Sequence, residues 1–250
     1  MLKVSNIFGP TVQGEGSAAG QHCLFVRLSG CNLECTWCDT PETWAFTEQK
    51  ASKHRELKVY AKDDPKLGEK LMTGLEVHTQ LRKLWDVQTK PTLVVISGGE
   101  PLMQQRDDEF NQLLRFIKSD GNRVHIETAG TLSPTTLTNQ YVDQYNVSPK
   151  LSSSGNRISK RYRPGVISSF LDTEKAWFKF VVANDADFFE VDDVVESLKI
   201  PANRVMIMPE GTTAQRNIEV VKKYAESAVR KGWGVSFRTH VLIWGNDPDW

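Results

Sequence analysis

Short apolar runs recur along this chain and alternate with longer stretches in which apolar residues return every three or four positions. The short runs predict strands at Cys23–Leu28, Leu93–Ser97, Arg123–Glu127, Gln144–Ser148, Trp177–Val182, Arg204–Met208 and Gly234–Arg238. The longer, amphipathic stretches predict helices at Leu75–Trp85, Asp107–Ser119, Asp187–Leu198 and Thr213–Lys231. Within the second of these, Phe110, Leu113, Leu114 and Ile117 fall at i, i+3, i+4 and i+7, the spacing of one buried helix face. Strand–helix alternation predicts an α/β fold with a parallel sheet under helices. The rhythm breaks once. Residues 49–70 hold seven Lys/Arg and four Asp/Glu with few large apolar residues, so the segment at about 48–70 is expected to be a solvated, partly mobile insertion in a single domain spanning 1–250.

Composition narrows the partners. The chain has 31 basic and 31 acidic residues among 250, which gives no electrostatic case for nucleic acid. No apolar run approaches the ~20 residues that span a bilayer, and the N-terminus lacks a signal-peptide core, so no membrane partner and a cytoplasmic location are expected. Four unevenly spaced cysteines do not resemble a secreted disulfide framework.

The polar motifs fall at the ends of the predicted strands. Cys23–Leu28 runs into Ser29-Gly30-Cys31, Leu93–Ile96 into SGGEP (97–101), and Arg123–Ile126 into ETAG (127–130). Later strands run into SPK (148–150), MPEG (208–211) and RTH (238–240). In a parallel barrel, or part of one, such ends share one rim, where active sites are built. The expected fold is an incomplete (β/α) barrel of about six parallel strands.

Three of the four cysteines, Cys31, Cys35 and Cys38, lie within eight residues. Clustered thiolates select zinc, copper(I) or an iron–sulfur cluster. A structural zinc site wants four protein ligands. Cys23 sits mid-strand as a small hydrophobe, which leaves His22 or His54 as a possible fourth. The alternative is a cubane cluster on three thiolates, its fourth iron open to a chelating ligand. Trp37 either shields such a centre or is an ordinary packing aromatic.

This cysteine spacing, with an aromatic before the third cysteine and SGGEP after a strand, resembles the radical S-adenosylmethionine superfamily. Residues Phe8–Thr40, with ETAGT, VSPK, MPEG and RTHVLIWGN in order, are similar to the 7-carboxy-7-deazaguanine synthase family. The resemblance implies a radical SAM type fold with a 4Fe-4S cluster on Cys31, Cys35 and Cys38, S-adenosyl-L-methionine and Mg2+ as cofactors. It implies a lyase that converts 6-carboxy-5,6,7,8-tetrahydropterin to 7-carboxy-7-deazaguanine with loss of ammonia, in 7-deazapurine (queuosine-type) biosynthesis. A reduced cluster would cleave S-adenosylmethionine, and the resulting radical would take a substrate hydrogen and later recover it. Other readings are a glycyl-radical-enzyme activase and, from a different class, a zinc-stabilised binding module.

Residue roles follow from the same likeness. S-adenosylmethionine would meet Trp37, Asp39, Gly99, Glu100, Thr128, Ser148, Pro149 and Lys150, with Glu100 pairing with its amino group and Lys150 with its carboxylate. Ala129 stands where the family often has Asn or Ser. The pterin would meet Val12, Gln13, Gly14, Glu15, Arg27, Ser97 and His240. Arg27 suits a carboxylate, and it is the one charge in the run CLFVRL. Gln13 and Glu15 suit the amino-pyrimidinone edge, and His240 hydrogen bonding or proton transfer. Thr40, which the sequence alone reads as a helix N-cap, would ligate magnesium. A homodimer and an electron donor such as flavodoxin are also implied.

Overall fold

The computed structural model describes residues 1–84 and 93–245. Nine strands form one sheet: β1 (Leu2–Val12), β2 (His22–Leu28), β3 (Lys70–Met72), β4 (Leu93–Gly98), β5 (Arg123–Thr128), β6 (Gln144–Val147), β7 (Ala176–Val182), β8 (Val205–Pro209) and β9 (Gly234–Val235). Their order is β3-β1-β2-β4-β5-β6-β7-β8-β9. From β2 to β9 every neighbouring pair is parallel, while β1 runs antiparallel to both β2 and β3. The sheet therefore curls without closing. Six of the predicted strands are present almost to the residue. The seventh, predicted over Gly234–Arg238, shortens to two residues; just past its end Ser236 meets the loop after β1, where the Gly16 N–H donates to Ser236 Oγ at 2.8 Å.

The helices are α1 (Glu48–Ala51), α2 (Gly74–Leu84), α3 (Asp108–Ser119), α4 (Thr136–Tyr141), α5 (Ile158–Arg161), α6 (Pro164–Leu171), α7 (Asp185–Leu198), α8 (Ala214–Arg230) and α9 (Thr239–Trp244). Of the predicted helix Leu75–Trp85, Trp85 lies outside the described residues, as does Asn246 of the motif RTHVLIWGN. Local chemistry sets the starts: the side chains of Asp107, Asn184 and Thr213 accept backbone N–H bonds in the first turns of α3, α7 and α8. Phe110, Leu113, Leu114 and Ile117 of α3 are fully buried.

Strand side chains alternate between two buried sides. Leu24, Val26 and Leu28 of β2 join the main core under the helices, whereas Cys23 and Phe25 face inward with Ala18, Leu93 and Val95. Arg27 continues that inward row, one step closer to the cavity. The segment 48–70 is less detached than its composition suggests. Most of it is exposed, yet Ala51 and His54 are buried, and Tyr60 packs with Trp44, Ala45 and Ala51 behind Cys31 and Cys38. No helix among the described residues is long and apolar enough to cross a membrane.

Candidate functional site

A cavity of about 230 Å³ opens at the C-terminal ends of the parallel strands. Cys31, Cys35 and Cys38 line it together with Trp37, Asp39 and Thr40. Each sulfur accepts one N–H: Cys31 Sγ from the Leu33 backbone at 3.4 Å, Cys35 Sγ from Asn156 Nδ2 at 3.2 Å, and Cys38 Sγ from Trp44 Nε1 at 3.3 Å. Burial pushes all three thiols up, Cys38 to about 12, so they are protonated until a cation displaces the proton. Donors aimed at sulfur stabilise thiolate charge, which is how iron–sulfur ligands are supported. The residues therefore fit a cluster on three thiolates. Among the described residues, neither histidine considered supplies a fourth zinc ligand. His54 Nε2 bonds the Cys38 carbonyl at 2.7 Å, facing backbone instead of sulfur, and His22 is exposed at the start of β2, the end remote from the cysteines.

The glycines of SGGEP allow a close approach of backbone to backbone. A Cβ on Gly98 would lie 2.0 Å from the Leu28 carbonyl, and one on Gly99 2.0 Å from the Gly30 carbonyl. Their smallness lets the end of β4 seat against the root of the cysteine loop, where Glu100 N–H bonds Gly30 O at 2.8 Å. Glu100 itself is 1% exposed and does not line the cavity. Its carboxylate accepts from the backbone N–H of Leu102 and Ala129 and from the Thr128 hydroxyl, at 2.8–3.1 Å. Through these bonds Glu100 braces the ends of β4 and β5 beside the cavity. Pro149 is also absent from the lining. Gly99, Thr128, Ser148 and Lys150 do line it, and Lys150 Nζ lies 5.7 Å from the Trp37 ring centre.

On the other wall, Arg27 pairs in register with Ser97, so a guanidinium and a hydroxyl stand side by side at the cavity. The guanidinium stacks 4.9 Å over the Phe8 ring and lies 3.9 Å from Glu42. Val12–Glu15 arrive from an unexpected direction. Val12 pairs with His22, at the opposite end of β2 from the cysteines. The loop then crosses the open seam of the barrel, held by Thr239 N–H to Gly14 O at 2.8 Å. Gly14 permits this, since a Cβ there would lie 2.0 Å from His240 Nδ1. His240 lines the cavity, and burial lowers its pKa, leaving the imidazole neutral near pH 7.

Sequence reasoning missed the charged belt that carries this loop. Lys179 Nζ bonds Glu15 at 2.5 Å and Glu127 at 3.1 Å. Arg238 bonds Glu15 through Nε at 3.0 Å and Asp39 through Nη2. Burial would raise the Glu15 pKa, but Lys179 and Arg238 outweigh it and hold the carboxyl well below the usual range. The signal was available: Lys179 is the one charge in the strand AWFKFVV, the same criterion that singled out Arg27.

An open parallel barrel with a cysteine loop at its rim, matched over residues 12–151 by the 4Fe-4S single cluster domain, defines a radical S-adenosylmethionine enzyme. A 7-carboxy-7-deazaguanine synthase of Pyrobaculum aerophilum is 35% identical over 247 residues, 98% of this chain and 96% of that protein. One from Hyperthermus butylicus is 32% identical over 97% of this chain and 93% of its own length. The crystal structure of QueE from Escherichia coli superposes with a TM-score of 0.67 at 25% identity, covering 96% of this chain and 94% of that one. Streptococcus suis SuiB, in a structure bound to S-adenosylmethionine, shares the fold alone, with a TM-score of 0.50 at 13% identity over 86% of this chain and 53% of its own. The chain belongs to the 7-carboxy-7-deazaguanine synthase family, whose members are radical S-adenosylmethionine lyases.

Proposed function

We propose that this cavity binds 6-carboxy-5,6,7,8-tetrahydropterin beside S-adenosylmethionine and converts it to 7-carboxy-7-deazaguanine with loss of ammonia. The observation that carries the proposal is the placement of three N–H-supported cysteines and the Arg27–Ser97 pair on one cavity with Gln13 and Glu15. The cluster and S-adenosylmethionine would supply a carbon radical that takes one hydrogen atom from the substrate.

The chain's own residues bind and orient. Cys31, Cys35 and Cys38 hold the cluster. Lys150, fixed by its 3.0 Å bond to Ser148 Oγ, attracts the methionine carboxylate, while Gly99 and Thr128 flank the same moiety. Trp37, anchored through Nε1 to Ser153 O at 3.1 Å, offers a face to the adenine, and Asp39 stays tied to Arg238. Arg27, stiffened by Phe8, takes the substrate carboxylate. Ionised Glu15 accepts from the amino-pyrimidinone edge, with Val12, Gln13 and Gly14 beside it and neutral His240 as a hydrogen-bonding partner. Thr40 Oγ1 makes no capping bond to the turn Pro41–Thr43 and meets Cys38 Sγ at 3.7 Å, which places the hydroxyl beside the cysteines, where it would ligate Mg2+. The chain acts as one domain in the cytoplasm, as a homodimer, with residues 48–70 packed behind the cysteine loop and flavodoxin or a similar protein as electron donor.

Anaerobic reconstitution followed by turnover with dithionite, S-adenosylmethionine and Mg2+ tests the reading. Product formation that depends on the pterin is expected. Cleavage of S-adenosylmethionine with the pterin unconsumed would refute it.

A further inference from the structure

Lys179 is 4% exposed in the middle of β7, between two carboxylates that both line the cavity. Burial by itself opposes an ammonium, but Glu127 and Glu15 outweigh it and push the pKa above the ordinary lysine value. The carboxylates are held from their other sides as well. Glu127 Oε1 accepts from Gln13 Nε2 at 3.0 Å and Asn146 Nδ2 at 2.8 Å, and Glu15 Oε1 accepts from Arg238 Nε at 3.0 Å. Along Glu127, Lys179, Glu15, Arg238 and Asp39 the charges alternate in sign, and each side chain comes from a different segment of the fold. Without the central ammonium, the Glu127 carboxylate would repel an ionised Glu15 in the same buried cavity, and Glu15 would take up a proton more readily. A protonated Glu15 would present a donor where the proposed substrate edge also presents donors.

We propose that Lys179 is a positioning residue that fixes Glu15 and Glu127 as a spaced pair of anions, so that the cavity selects a flat heterocycle with adjacent N–H donors and rejects one presenting acceptors there. This rests on the functional reading above, in which Glu15 meets the amino-pyrimidinone edge.

The test compares Lys179→Gln and Lys179→Arg with the wild type as full-length, cluster-loaded enzyme driven by dithionite. Iron content and Tm are measured first. Glutamine still offers an N–H donor but removes the charge. Lys179→Gln is expected to retain the cluster and substrate-independent cleavage of S-adenosylmethionine, to raise KM for the pterin at least about tenfold, and to gain an acid limb in kcat/KM. The limb appears because Glu15 then faces Arg238 alone as a cation, with His240 neutral and Glu127 adding like charge, so its pKa rises and it protonates as pH falls. Lys179→Arg, which keeps the charge, is expected to lack that limb. A folded glutamine variant with the wild-type KM and pH profile overturns the inference. If the glutamine variant does not load its cluster, the arginine variant decides: a limb absent supports the inference, and a limb present overturns it. A wild type that leaves the pterin unconsumed instead refutes the functional reading.

Discussion

At the scale of single residues, the three sulfurs are distinguished by what donates to them. Trp44 is 1% exposed and its indole N–H bonds Cys38 Sγ, so a neutral donor stabilises negative charge on that ligand. Trp44→Phe removes the donor and keeps most of the packing. The cluster potential should become more negative, because the reduced state carries the greater charge, and a spectroelectrochemical titration checks it. Cys31→Ala, Cys35→Ala and Cys38→Ala should each lose the absorption near 400 nm. Cys23→Ala should keep it, since Cys23 is fully buried with Ala18, Leu93 and Val95 below the site. The cysteine set, Arg27 and Thr40 could be picked out along the sequence because unusual residue types stood at short, fixed spacings. Lys179 meets Glu127 across 52 residues of chain and Arg238 meets Glu15 across 223, and no local pattern announces such a pairing.

At the scale of elements, the strands with continuous apolar runs and the helices with a clear apolar face were readable, because burial on both sides of a strand leaves a run and burial of one helix face leaves a period. β1 was not. Its run LKVSNIFGPTV mixes polar and apolar residues and contains Gly9-Pro10, and its register with β2 shifts on both sides of Asn6–Phe8. Pairing with β2 and β3 makes it a strand. The junction of β4 with the cysteine loop gives a sharper element-level prediction. Gly99→Ala places a methyl 2.0 Å from the Gly30 carbonyl, so the loop must shift. Lower iron content per chain and a fall in Tm are expected, whereas Gly165→Ala, with open space around it, should change neither. In α3, Phe110→Ala leaves a cavity in the main core and should cost about 3–5 kcal/mol in a urea titration.

At the scale of the whole molecule, buried titratable groups tie stability to pH. His125 is 3% exposed inside the barrel, and among the described residues its Nδ1 has no hydrogen-bond partner. Burial, then Arg123, lowers its pKa from 6.5 to about 4, against a weaker opposing effect of Asp143. Above pH 6.5 both folded and unfolded chains carry it neutral. As pH falls, the unfolded chain takes the proton first, so stability is lost between 6.5 and about 4, by on the order of 3 kcal/mol at the acid end. His125→Leu should flatten that part of the Tm profile measured from pH 7 to 4.

What the sequence determined by itself was whatever short-range spacing encodes: the parallel α/β architecture, the cysteine loop, and the motifs at the strand ends. Those follow from periodicities of two and 3.6 residues and from ligand spacings that a single loop must satisfy. Tertiary structure decided the rest. It made Glu100 a brace between the ends of β4 and β5, brought Val12–Glu15 into the cavity from the far end of the sheet, and packed His54 and Tyr60 behind the cysteine loop. Above all, it set Lys179 between Glu15 and Glu127. Each of these depends on which distant segments become neighbours once the sheet curls, and charge pairing in a buried cavity is fixed by that proximity and not by position along the chain.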